Sequence, residues 1–93
     1  MMQITVEYTA QLKQAAGVAA ETVELADAAT LQTLFEELSR RHDARLKPLL
    51  FDNQGNWQRS VLIFVGDEQV AWDQPVQLAR GQTVSLVAPI SGG

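Results

Sequence analysis

The chain has 93 residues, 46% of them hydrophobic and 19% charged, with a formal charge of −4, a balance that excludes a disordered segment. Its seven basic residues are scattered, only Arg40 and Arg41 being adjacent, so the clustered cations that neutralise nucleic-acid phosphates are missing. With no cysteine it has neither a disulfide nor a thiol nucleophile.

A chain this short is expected to form one domain over residues 1–93. Its N-terminus shows no basic and apolar leader pattern, and no apolar run approaches the roughly 20 residues that cross a bilayer. A cytoplasmic location without a membrane partner is therefore expected.

Ile4, Val6 and Tyr8 alternate with Gln3, Thr5, Glu7 and Thr9, which predicts a first strand with one buried face. Ala10 to Gly17 is rich in helix formers and closed by a glycine, enough for a short turn or a loop. Thr22-Val23-Glu24-Leu25 alternates again, and the short connection predicts an antiparallel hairpin. Thr30 is the best N-cap candidate, because Leu31, Leu34, Phe35 and Leu38 follow with helical spacing. Glu36 with Arg40 and Glu37 with Arg41 are expected as ion pairs one turn apart on its outer face. His42, the only histidine, is read as a helix-end residue and not as a metal ligand, since a zinc site needs three or four protein ligands.

Leu46, Leu49, Leu50 and Phe51 around Pro48 suggest a short turn that lids the core. Asp52 to Asn56 is loop. Val61 to Val65 is an apolar run whose length and branching favour a strand. One helix covers only one side of a small sheet, so Leu62 and Phe64 are expected on the uncovered face. A turn at Gly66-Asp67-Glu68 leads to a short strand, Gln69 to Trp72, and Trp57 and Trp72 are read as packing residues. Thr83 to Ala88 is the last strand, with Val84, Leu86 and Ala88 on one face and Ser85 and Val87 on the other. Pro89 closes it. This order predicts an α+β domain: a mixed sheet of four or five strands, one main helix across one face, and a free tail at residues 89–93. First and last strands lying parallel at the centre would make it β-grasp, the ubiquitin-like arrangement.

The chain resembles the ubiquitin-like sulfur carriers of the MoaD/ThiS superfamily over nearly its whole length. The resemblance is carried by the opening strand, by Ala10-Gln11-Leu12-Lys13 and Gly17, which are similar to the family's Ala-x-Leu-Arg-x-x-x-Gly, by the helix begun at Thr30-Leu31, and above all by the end. There Gly81, the apolar strand Val84 to Ala88, and Pro89-Ile90-Ser91-Gly92-Gly93 fill the family pattern of a turn glycine, a strand and Pro-x-x-Gly-Gly. Lys13 replaces the usual Arg, and Gly66 a turn Asn. The segment Phe51-Asp52-x-x-Gly55-x-x-x-Arg59-x-Val61-x-Ile63 is similar to the branch that includes carriers of cysteine and secondary-metabolite biosynthesis.

The resemblance implies a carrier and co-substrate, not an enzyme, with no bound cofactor and no metal. An E1-like enzyme, using ATP and magnesium, would adenylate the carboxylate of Gly93. A sulfur donor protein would convert it to a thiocarboxylate, and a synthase would accept the sulfur for molybdopterin, cysteine, thiamin or another metabolite. Gly92 and Gly93 would be the reactive terminus, since two residues without Cβ pass a narrow channel and take dihedrals denied to others. Pro89, Ile90 and Ser91 with Val87, Phe64 and Leu62 would meet the partners. The alternatives are a protein modifier conjugated through Gly93 and a plain interaction module.

Overall fold

The computed structural model describes residues 1–88, the side chains of residues 43 and 44 excepted. Strand β1 (Met2–Tyr8) buries Met2, Ile4, Val6 and Tyr8 and turns the residues between them outward, as a period of two requires. Ala10–Ala16 is a seven-residue helix, α1, and not a turn. Leu12 and Ala16, four residues apart, both bury, and Gly17 ends the helix at φ 82° with its N–H on the Lys13 carbonyl, 2.9 Å away. That left-handed cap is the conformation glycine adopts without a Cβ clash. Strand β2 (Ala20–Leu25) returns antiparallel to β1, from Met2 opposite Leu25 to Glu7 opposite Ala20.

The main helix, α2 (Leu31–Arg41), starts as its sequence predicts: the Thr33 N–H donates to the Thr30 hydroxyl, and Leu31, Leu34, Phe35 and Leu38 are buried. Of the two expected ion pairs, Arg41 with Glu37 forms at 3.1 Å, whereas Arg40 turns to Glu37 at 2.9 Å and leaves Glu36. One carboxylate thus serves two guanidinium groups, because the i+3 and i+4 positions both lie beside it.

Residues expected to make only a turn form a third helix, α3 (Asp43–Leu50), with Pro48 inside it. Proline near the end of so short a helix removes little of its hydrogen bonding, and Leu46 and Leu50, both fully buried, hold it to the core. The junction is His42, whose N–H bonds the Leu38 carbonyl of α2 while its carbonyl accepts the N–H groups of Arg45 and Leu46.

Strand β3 (Leu62–Val65) pairs antiparallel with β4 (Glu68–Val70) and with β5 (Thr83–Val87). Strand β4 stops before the expected Trp72. The Ala71 N–H bonds the Gln74 side chain at 2.6 Å, a turn that leaves Trp72 stacked on Trp57 at 5.3 Å, beside Phe35 and Phe51. Both tryptophans therefore pack, as their sequence context predicts. The sheet order is β2-β1-β5-β3-β4, with β5 parallel to β1 from Thr5 opposite Thr83 to Tyr8 opposite Leu86. First and last strands side by side at the centre of a mixed sheet, with helices against one face, make this the β-grasp, ubiquitin-like fold.

Candidate functional site: the open sheet face and the root of the C-terminal segment

Strand β5 divides its residues between two environments. Val84 and Leu86 are fully buried, while Thr83, Ser85 and Val87 are half-buried on the opposite side. Strand β3 does the same, with Ile63 and Val65 inward and Leu62 and Phe64 outward. The register sets Leu62 opposite Val87 and Phe64 opposite Ser85, so the three apolar side chains named from the sequence share one face at cross-strand contact spacing. They stand outside the buried core cluster.

Around them the surface is polar and acidic. Ser85 donates to Glu7 at 3.1 Å, Gln69 lies opposite Phe64, and Glu24 lies opposite Gln3. Of the four charged residues in the five strands, Glu7 and Glu24 lie on this open face, whereas Glu21 and Glu68 stand opposite the inward Val6 and Val65 and lie on the other side of the sheet. An apolar centre flanked by the Glu7 and Glu24 carboxylates complements a partner with apolar and basic groups.

Pro89, Ile90, Ser91, Gly92 and Gly93 lie outside the described residues. Their root does not. Strand β1 makes its last pair with β5 at Leu86 and β3 makes its last at Val87, so Ala88 is past both ladders. The Thr9 side chain takes over there: its hydroxyl donates to the Leu86 carbonyl at 3.2 Å and accepts the Ala88 N–H at 3.3 Å. Thr9 is a residue the sequence pattern placed only as the outward end of a strand.

A second polar cluster ties β1, β2 and α2 together. Glu21 accepts hydrogen bonds from Tyr8 and from His42, the latter at 2.6 Å, and from Arg41 at 3.2 Å. Burial works to raise the Glu21 carboxyl, but the hydrogen bonds from Tyr8, His42 and Arg41 outweigh it and hold the group below its ordinary range. Burial, then the Glu21 hydrogen bond, pushes the Tyr8 phenol far up. The hydrogen bond that Arg41 donates to Glu37 raises its guanidinium. His42 thus both ends α2 and bonds across to β2. Nothing in the spacing of residues 8, 21 and 42 signals the meeting, which the strand pairing creates. Among the described residues no three His, Asp or Glu side chains converge as a metal site would need.

A sequence profile of the ThiS family matches residues 6–93. No curated protein matches significantly. Among solved structures, SAMP1 from Haloferax volcanii superposes with a TM-score of 0.87 at 24% identity, over 98% of this chain and 99% of that one. A putative molybdopterin converting factor subunit 1 from Pyrococcus furiosus gives 0.72 at 29% identity, over 97% of this chain and 100% of that one. The BexX/CysO complex of Amycolatopsis orientalis gives 0.71 at 24% identity, over 97% and 99%.

Proposed function

Because the chain belongs to the ThiS family, we propose that it is a sulfur carrier whose reactive group is the C-terminal carboxylate of Gly93. The observation that carries this reading is the continuity of β5 with the Pro89-Ile90-Ser91-Gly92-Gly93 segment. The strand that bears Val87, opposite Leu62 and beside Phe64, ends only six residues before Gly93 in the sequence, so the docking face and the reacting end are close along the chain.

A free carboxylate resists substitution, since its charge is delocalised and oxide is a poor leaving group. In the proposed sequence an E1-like enzyme, with ATP and magnesium, joins a Gly93 oxygen to the α-phosphorus and releases pyrophosphate. A persulfide on the sulfur donor protein then attacks the acyl carbon, and AMP departs with the bonding electron pair. A second thiol takes up the donor's sulfur as a disulfide and leaves a thiocarboxylate on Gly93. The carrier supplies the terminus and the surfaces that dock it, and the catalytic groups belong to its partners. The sulfur-accepting synthase reads the same face, and a cytoplasmic location gives access to ATP. No helix among the described residues is long and apolar enough to cross a membrane.

Intact mass tests this directly. After incubation with the cognate E1-like enzyme, ATP and a persulfide donor, the carrier gains the mass difference of one sulfur over one oxygen; an unchanged mass overturns the proposal. The modifier reading uses the same activated Gly93 and predicts lysine conjugates of higher mass that vanish on deletion of Gly93. An inert interaction module predicts that deleting Gly92 and Gly93 changes nothing.

A further inference from the structure

We infer that Thr9 is a positioning residue for the reactive terminus, a latch that sets where the C-terminal segment leaves the sheet. The inference rests on the Gly93 reading above and adds to it a residue of β1's end. Three observations converge on Thr9. First, Ala88 lies one residue beyond the last pair of β3 and two beyond the last pair of β1, so no strand remains to hold its N–H. The Thr9 hydroxyl bonds both that N–H and the Leu86 carbonyl, closing a clamp around Val87.

Second, the hydroxyl is diverted from its local use. Thr9 occupies the N-cap of α1 with extended dihedrals, the position where a threonine side chain ordinarily accepts an N–H of the first turn. It makes no such bond. The Leu12 and Lys13 N–H groups go to its carbonyl instead, and the side chain reaches 79 residues along the chain to Ala88.

Third, the next residue is strained. Ala10 has φ 49°, in the left-handed region that a residue with a Cβ avoids. Strain of this kind persists only where the surroundings impose it, and it gathers at sites where geometry matters. Here it falls on the residue that directly follows Thr9.

The consequence for the reaction is preorganisation. A terminus that must enter another protein's active site loses conformational freedom as it binds, and fixing its root beforehand reduces that loss. The bond persists through docking and reaction alike, so its removal weakens encounter without slowing the chemical step.

The test compares wild type with Thr9→Val, which keeps the shape and removes the hydroxyl, and with Thr9→Ser, which restores it. Two readouts are taken: kcat and KM for pyrophosphate release by the cognate E1-like enzyme with ATP, and hydrogen exchange of the Ala88 amide in the free carrier. Thr9→Val is expected to raise KM by about two- to ten-fold, the worth of one net hydrogen bond, with kcat unchanged and Ala88 exchange faster. Thr9→Ser is expected to return both. Thr9→Ala replaces the valine variant if that one does not fold. A wild-type KM in the hydroxyl-free variant, unaltered Ala88 exchange, or a fall in kcat alone overturns the inference. Failure of the wild-type carrier to be adenylated overturns the Gly93 reading instead, and the latch then stands or falls on Ala88 exchange.

Discussion

Glu21 joins three elements through one carboxylate, accepting from Tyr8 of β1, from Arg41 of α2 and from His42 at the α2–α3 junction. Its folded pKa is lowered, so its contribution to stability is present above the unfolded carboxylate pKa and is lost as pH falls through the folded value. Thermal unfolding followed across the acid range should show a steeper loss of stability in wild type than in Glu21→Gln, with the two curves converging at the lowest pH. At the other end of the hydrogen-bond scale, Thr30 caps α2 through its hydroxyl, which accepts the Thr33 N–H and also meets the Thr33 hydroxyl. Thr30→Ala is expected to cost about 1 kcal/mol in a denaturant titration. The cap was legible because capping is local in sequence. The Glu21 cluster was not, because its other members lie 13 to 21 residues from Glu21 and only the β1–β2 register and the end of α2 bring them together.

Among the elements, β1, β2, α2 and β5 were readable from periodicity, and their inward residues bury, except Ala88, which was expected in β5 but lies past its last pair and is only partly buried. Helix α3 was obscured by Pro48, whose missing N–H argues against helix unless tertiary contacts compensate, as Leu46 and Leu50 do here. Leu46→Ala leaves a void at that contact and should destabilise the fold by about 2–5 kcal/mol, measured by chemical denaturation. The open face was legible for a different reason: an apolar run too long for one buried side had to spend Leu62 and Phe64 elsewhere. Phe64→Asp places a carboxylate there at little expense to the core. The expected result is at least about ten-fold weaker binding to the E1-like enzyme by titration calorimetry, with an unfolding temperature close to wild type.

For the whole molecule, the carboxylates of the strands and the net charge of −4 give association a salt dependence. Raising ionic strength should slow the encounter with a basic partner more than it speeds dissociation, as stopped-flow kinetics would show. The parallel pairing of β1 with β5 also governs time. On a growing polypeptide β1 emerges first and must wait with one edge unpaired until β5 follows it, since no intermediate strand occupies that place in the sheet order. Contacts so distant in sequence form late and slowly. A half-made chain therefore has neither a finished sheet nor the Thr9 contact at Ala88, so on the proposed reading it becomes a competent carrier only after the fold has closed on its own last strand.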